Sequence, residues 1–204
     1  MKIYCQLILA AALACFTSSV LAEALKYTYV SADYSAFSKE IDGFSEEFKG
    51  NRISFDLSVA VTPHAAVIGG YSSASAEMNS SGTIADANFK SGSLGIIIHL
   101  PINDMTDFIV SVRFINGEIE ADVNNSFFGS IDADGGSLAF GTRAMVTENI
   151  ELNGFLHKTT IEDKSTFSFS LGAAYYVVES VSIDIGYSLS DDADSLSLGL
   201  TKYF

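Results

Sequence analysis

Tryptophan is absent from this chain, proline and cysteine occur twice each, and basic residues number 11 against 25 acidic ones. Both cysteines, Cys5 and Cys15, fall in an amino-terminal stretch built like a secretion signal. Lys2 supplies its positive start, Ile3 to Phe16 a largely apolar run too short to span a bilayer, and Val20-Leu21-Ala22 the small residues of a cleavage site. Residues 1–22 are therefore read as a signal peptide, and residues 23–204 as one domain beginning at Glu23. A lipoprotein signal lipidated at Cys15 is the rival reading, but Ala12-Leu13-Ala14-Cys15 places leucine one position late for it. Without these two cysteines the domain has no disulfide, no thiolate metal ligand and no cysteine nucleophile. Removing Lys2 with the signal leaves 10 basic and 25 acidic residues, a net charge of −15, which excludes nucleic acid as a partner. The scarcity of proline, and the lack of any Ser/Gly-rich linker, leave the domain undivided. Long hydrophobic runs are lacking too: 48% of residues are hydrophobic, yet no mature segment approaches the roughly eighteen apolar residues of a membrane helix.

What is present is period-two alternation, the signature of strands with one apolar face. Ten segments show it: Leu25–Tyr34, Asn51–Thr62, Ala65–Ala76, Asn88–Leu100, Asp107–Ile119, Gly135–Val146, Ile150–Thr160, Thr166–Val178, Val181–Ser190 and Ser195–Phe204. In the second, Ile53, Phe55, Leu57, Val59 and Val61 face one way, and Arg52, Ser54, Asp56, Ser58 and Ala60 the other. In the ninth, Val181, Ile183, Ile185, Tyr187 and Leu189 oppose Ser182, Asp184, Gly186 and Ser188. The polar face is mostly Ser, Gly and Ala, which suits the crowded inside of a narrow closed sheet rather than the solvent face of a sandwich. The apolar face then meets lipid, and closure leaves no unpaired edge in hydrocarbon. The fold expected is all-β: a closed antiparallel up-and-down transmembrane barrel of ten strands, with eight the alternative.

Short connections at Thr62-Pro63-His64, Pro101 to Thr106, Thr147-Glu148-Asn149 and Glu179-Ser180 are expected at the periplasmic end. Longer polar or acidic loops at Ser35–Gly50, Glu77–Ala87 and Glu120–Asp134 are expected outside, which puts both termini in the periplasm. Tyr27, Tyr29, Phe108, Tyr175 and Phe204 are assigned to an aromatic girdle at the periplasmic interface, and Tyr34, Phe167 and Tyr187 to one at the outer interface.

The last strand alternates Leu196, Leu198, Leu200 and Phe204 against Ser197, Gly199, Thr201 and Tyr203, with Lys202 on the apolar face, where it can snorkel to the interface. Together with Arg52–Tyr71 and Ile150–Gly154, the segment Asp191–Phe204 resembles the OmpA/OmpX-like small outer-membrane β-barrel superfamily, the "porin family" proteins of Gammaproteobacteria. The resemblance implies a Gram-negative outer-membrane address. It also implies a terminal strand, with Gly199, Tyr203 and Phe204, that is read by the barrel assembly machinery after transit with periplasmic chaperones. Its motifs are architectural and specify shape better than activity.

On the assigned faces the lumen receives Arg52, Asp56, Arg113, Arg143, Glu151 and Asp184, either as a charged constriction selecting solutes or as internal ion pairs that plug the barrel. His157 is the one histidine placed for catalysis, with Ser168 or Ser170 as a hydrolase partner, or Asp191, Asp192 and Asp194 as a protease-like one. Serines are so common in this lumen that proximity means little, and no residue is assigned as catalytic. His64 and His99 are read as incidental. Asp132-Ala133-Asp134-Gly135-Gly136 lacks the remaining ligands of a calcium loop, so neither metal nor cofactor is expected. The function expected is that of a non-enzymatic, monomeric membrane barrel, a narrow channel or a structural protein whose partners are outer-membrane lipid and lipopolysaccharide. The alternative is a surface interaction protein acting through its outer loops.

Overall fold

The computed structural model describes residues 25–40, 47–80, 83–123, 126–190 and 193–204; the expected signal peptide lies outside them. Its elements are β1 (Tyr29–Glu40), β2 (Glu47–Thr62), β3 (Ala65–Ser80), β4 (Thr83–Asn103), β5 (Thr106–Val123), β6 (Ser126–Asp132), β7 (Gly135–Thr147), β8 (Ile150–Ile161), β9 (Lys164–Val178), β10 (Val181–Ser190) and β11 (Asp194–Tyr203). All pairings are antiparallel, and the β1–β11 and β4–β5 ladders close the sheet on itself. β6 and β7 share one neighbour: β6 pairs with β5 along Glu118–Val123 and β7 along Thr106–Ile115. Together they fill one place in the wall, so the barrel has ten strand positions, and the eight-stranded alternative is discarded. At their junction Ala133 N–H donates to the Gly117 carbonyl (2.8 Å) and Asn116 Nδ2 to Asp134 Oδ1 (2.6 Å). Glu162 N–H donates to the Asp134 carbonyl (2.9 Å) from the β8–β9 turn, where Glu162 takes a positive φ of 50°.

The four short turns, at 63–64, 104–105, 148–149 and 179–180, lie at one end. Three of them use one local device, in which the residue opening the turn accepts from an N–H two positions on: Thr62 from His64 (3.2 Å), Asn103 from Met105 (2.9 Å), Thr147 from Asn149 (3.3 Å). A register shift sits beside each turn, at Ala60/Thr62, Pro101/Asn103, Met145/Thr147 and Val181/Ser182, tightening the twist where the chain reverses.

Sequence alternation sets the faces as expected. Ile53, Phe55, Leu94, Ile96, Ile98, Leu100, Leu171, Ile185, Leu196, Leu198 and Leu200 are exposed on the outside, while Ser31, Ser35, Ser58, Ser182 and Thr201 are buried inside. Height around the wall is uneven. β10 and β11, ten residues each, climb about 25 Å at the usual rise and a tilt of about 40°, which is the height of an apolar membrane band. β4, with 21 residues, climbs about 50 Å on the same reckoning. Much of the expected outer loops is therefore strand: β1 to β5 continue through most of Ser35–Gly50 and Glu77–Ala87, and Glu120–Asp134 contains the end of β5 and all of β6.

In this tall part the polarity of the two faces reverses. Outward residues on β5 run Phe108, Val110, Val112, Phe114, then Asn116, Glu118, Glu120 and Asp122; inward ones run Asp107, Ile109, Ser111, Arg113, then Ile115, Gly117, Ile119 and Ala121. β4 does the same, with Lys90, Asn88 and Asp86 outward and Phe89 and Ala87 inward beyond Gly92. The reversal shows where the outside of the wall changes from apolar surroundings to water, and it explains why alternation read for a lipid-facing strand stopped short of the strands' true ends.

The first strand also starts later than expected, at Tyr29 rather than Leu25. Leu25 to Thr28 instead tuck into the short-turn end, held by Phe204 N–H on the Thr28 carbonyl (3.0 Å), Ala60 N–H on Thr28 Oγ1 (3.1 Å) and Lys26 Nζ on the Glu179 carbonyl (2.9 Å).

Candidate functional site

The short-turn end of the lumen is filled. Leu25 and Tyr27, each 4% exposed, pack with Ala66, Ile68, Ile97 and Ile109 into an apolar floor. Tyr27 is its keystone. Its ring stacks on His99 (centroids 3.6 Å apart), its hydroxyl donates to Asp107 Oδ2 (2.6 Å), and the Arg143 guanidinium lies 5.1 Å from its centroid. His99 Nδ1 stands 3.3 Å from the same Asp107 oxygen, and His64 meets His99 edge-on at 6.0 Å. Burial above all drives the Tyr27 phenol well above its usual range; Arg143 opposes this and Asp107 adds to it, so Tyr27 stays a donor.

Beside this floor Arg143 grips Glu151 through both ends of the carboxylate, Nε to Oε1 at 2.6 Å and Nη2 to Oε2 at 2.8 Å. Tyr176 hydroxyl donates to the same Oε2 (2.8 Å) and its ring packs on Tyr203 (5.5 Å), which in turn meets Tyr29 (5.9 Å). Glu151 is 2% exposed, so this ion pair is a buried one, and each of its carboxylate oxygens has a hydrogen-bond partner.

Above the floor a cavity of about 390 Å³ opens away from the short turns, lined in part by Asp33, Arg52, Arg113, Asp184, His157 and Ser170. Arg113 Nη1 donates to Asp56 Oδ1 (2.8 Å), Arg52 Nε to Ser35 Oγ (3.3 Å), and Thr201 and Ser182 hydroxyls to the two Asp184 oxygens (2.7 and 2.8 Å). Gly199 is paired on one side with Asp33 and on the other with Asp184. A Cβ there would collide with the Asp33 carboxylate, so glycine leaves the room that Asp33 occupies. Three carboxylates, Asp33, Asp56 and Asp184, thus share this vestibule with two guanidiniums, Arg52 and Arg113.

The six charged residues expected in the lumen all lie on its inner face, in two layers: Arg143 and Glu151 at the floor, Arg52, Asp56, Arg113 and Asp184 above it. Of the terminal residues, Tyr203 turns inward (5% exposed) and Phe204 outward (63%). The girdle assignment needs correction at Tyr27 and Tyr29, which sit inside. Their parity with Ser31, Asp33 and Ser35 is the sequence signal that marks them inward. Tyr34, Phe108, Phe167, Tyr175, Tyr187 and Phe204 do face outward. His99, read as incidental, is 3% exposed and part of the floor, as are Asp107 and Tyr176. Nothing local marks them, because their partners are 80, 8 or 25 residues distant in the chain or bound through a neighbour on another strand.

His157 lies in the vestibule wall, its Nε2 2.9 Å from Ser170 Oγ. Among the described residues no carboxylate bonds its other nitrogen, and Asp194 accepts from Tyr187 hydroxyl (3.4 Å) on the outside; Asp191 and Asp192 lie outside the described residues. Among the described residues no three His, Cys, Asp or Glu side chains are grouped to hold a metal ion.

Residues 8–176 match the model of the outer membrane protein beta-barrel domain. No curated protein matches the chain. Among solved structures it is similar to the transport unit of the autotransporter AIDA-I from Escherichia coli, at 10% identity and a TM-score of 0.56, covering 96% of both chains. It is also similar to the translocator domain of the autotransporter NalP from Neisseria meningitidis, at 9% identity and a TM-score of 0.53, covering 100% of this chain and 95% of that one. At such identities the likeness is one of fold alone. The closed ten-position wall, its apolar outer band and the family match agree: the chain belongs to the outer membrane protein beta-barrel domain family and is an integral outer-membrane protein.

Proposed function

We propose that this is a non-conducting, non-enzymatic barrel that works at the cell surface through the outer part of its wall. The observation carrying this reading is the filled floor, in which Tyr27, His99, Asp107, Arg143, Glu151 and Tyr176 are locked by mutual bonds where a channel needs an exit. The floor carries the short turns, which bacterial barrels keep in the periplasm, and so the vestibule and tall wall face outward and both ends of the described chain lie on the periplasmic side. The pairs Arg113–Asp56 and Arg143–Glu151 then serve as internal ion pairs rather than as a selectivity ring, while Arg52 and Asp184 are tied to serine and threonine hydroxyls. A hydrolase reading of His157 and Ser170 lacks an orienting acid among the described residues and faces the lumen rather than lipid. The finer placement among OmpA/OmpX-like barrels of Gammaproteobacteria belongs to the same proposal. So do monomeric state, contact with lipopolysaccharide, and reading of Gly199, Tyr203 and Phe204 by the assembly machinery before closure turns Tyr203 inward.

Single-channel recording tests it. The refolded wild type is expected to be silent in a planar bilayer, and Tyr27→Ala combined with Arg143→Ala to give small steady openings. A wild type that conducts steadily, with openings altered by Arg113→Ala, would overturn the closed reading in favour of a narrow channel.

A further inference from the structure

We propose that the inner face of the tall wall, together with the unpaired edge of β6, is a docking site for a basic, extended peptide with one apolar face. Three observations converge on that chemistry. The first is the polarity reversal. Beyond the apolar band the outside of β4 and β5 is polar and acidic, while the concave inside presents Ile115, Ile119 and Ala121 on β5, Phe89 and Ala87 on β4, and Ile131 on β6, which is 65% exposed. An apolar surface of this kind turned toward the open side of a barrel calls for an apolar partner.

The second observation is the free edge. β6 pairs with β5 alone, and β8 ends at Ile161 and β9 begins at Lys164, so among the described residues no strand stands beside β6 beyond Gly135. Ala133 N–H points at Gly117 on β5. Strand alternation then turns the backbone N–H and C=O groups of Asp132 and Ser130 toward the empty side. An extended segment laid there can add main-chain bonds to the edge and place alternate side chains on the concave face.

The third is charge. Glu118, Glu120 and Asp122 stand on the outside of β5 against Lys90, which pairs with Glu120 at 3.3 Å. Asp33, Asp56 and Asp184 outnumber Arg52 and Arg113 in the vestibule below. With a chain carrying 25 acidic and 11 basic residues, the field at this end draws cations, and an alternating basic and apolar strand meets both faces of the site.

The test uses the full chain refolded in zwitterionic lipid nanodiscs, with empty discs subtracted. The probes are a twelve-residue peptide alternating lysine and valine, its glutamate–valine counterpart, and a lysine–glycine peptide of equal charge. The lysine–valine peptide is expected to bind at least about tenfold more tightly than either control. Ile119→Asn, which removes apolar surface without adding charge, is expected to weaken it about tenfold, and Ser130→Pro, which removes an edge donor, several-fold. Retention of the heat-modifiable gel band shows that each variant is still a barrel; should Ile119→Asn lose it, Ala87→Asn on the same face carries the test. Equal binding of the lysine–glycine peptide, or wild-type binding by folded variants, would reduce the effect to bulk charge and overturn the proposal. A wild-type dimer that Ile119→Asn makes monomeric would assign the face to a second copy and overturn it too. A conducting wild type would refute the closed reading and leave this one standing, whereas absent binding refutes this one alone.

Discussion

Replacing Arg143 by alanine is expected to cost about 3–5 kcal/mol, the usual penalty for removing one partner of a buried ion pair. The geometry puts this site in that class rather than among surface pairs. Arg143 and Glu151 side chains are 11% and 3% exposed, and the pair is two-pronged. After the substitution Glu151 keeps, among the described residues, the Tyr176 hydroxyl alone, and Tyr27 loses the cation beside its ring. At a guanidinium dependence of about 4 kcal/mol per molar, such a loss lowers the unfolding midpoint by about 1 M. The assay is equilibrium unfolding in detergent or lipid vesicles, followed by β-sheet circular dichroism and by loss of the heat-modifiable band. Arg143→Met with Glu151→Gln removes both charges and leaves an acceptor for Tyr176, so it is expected to come back to within about 1–2 kcal/mol of wild type. A single variant costing less than about 1 kcal/mol, or a double variant no better than the single one, would refute the view of this floor as a locked buried pair.

Other consequences are as direct. Unheated and boiled samples should migrate differently on a gel, because a closed barrel resists detergent; identical migration would contradict closure. Leu198→Arg, at a position 60% exposed on the outer band, should impair insertion by about 2–4 kcal/mol, and Ser197→Arg should act by crowding the lumen instead, so identical depth-dependent effects in thick and thin lipid would contradict the face assignment. Gly199→Ala should destabilise the barrel by about 1–3 kcal/mol through collision with Asp33, and Asp33→Ser in the same chain should relieve most of that cost in an unfolding titration. If it does not, the glycine serves assembly rather than space.

The candidate site was legible in part. Parity alone puts Arg113, Asp56, Arg143, Glu151 and Asp184 on the inner face. Pairing Arg113 with Asp56, 57 residues away, requires the register of four consecutive strands, β2 to β5, and the curvature that brings side chains three places apart together across the lumen. Tyr27 shows the opposite failing: its inward parity was available, but an aromatic near a strand end suggested a girdle, and residues before the strand were not expected to fold back. β6 went unseen because the reversal of polarity replaces the lipid-facing pattern with a water-facing one, in which an acidic outer row looks like loop.

The sequence by itself determined a membrane address, a sheet with an apolar outside and a small-residue inside, and ten places in the wall, because each follows from local alternation that every residue reports through its own parity. Only the tertiary structure decided that one side of the wall stands about twice as tall as the other, that Tyr27 packs against His99 and Asp107 in the floor, and that among the described residues β6 pairs along one edge alone. Those depend on which strand lies beside which and where each stops. That is settled by long-range register and by surroundings that change from lipid to water along a single strand, and no window of sequence contains either.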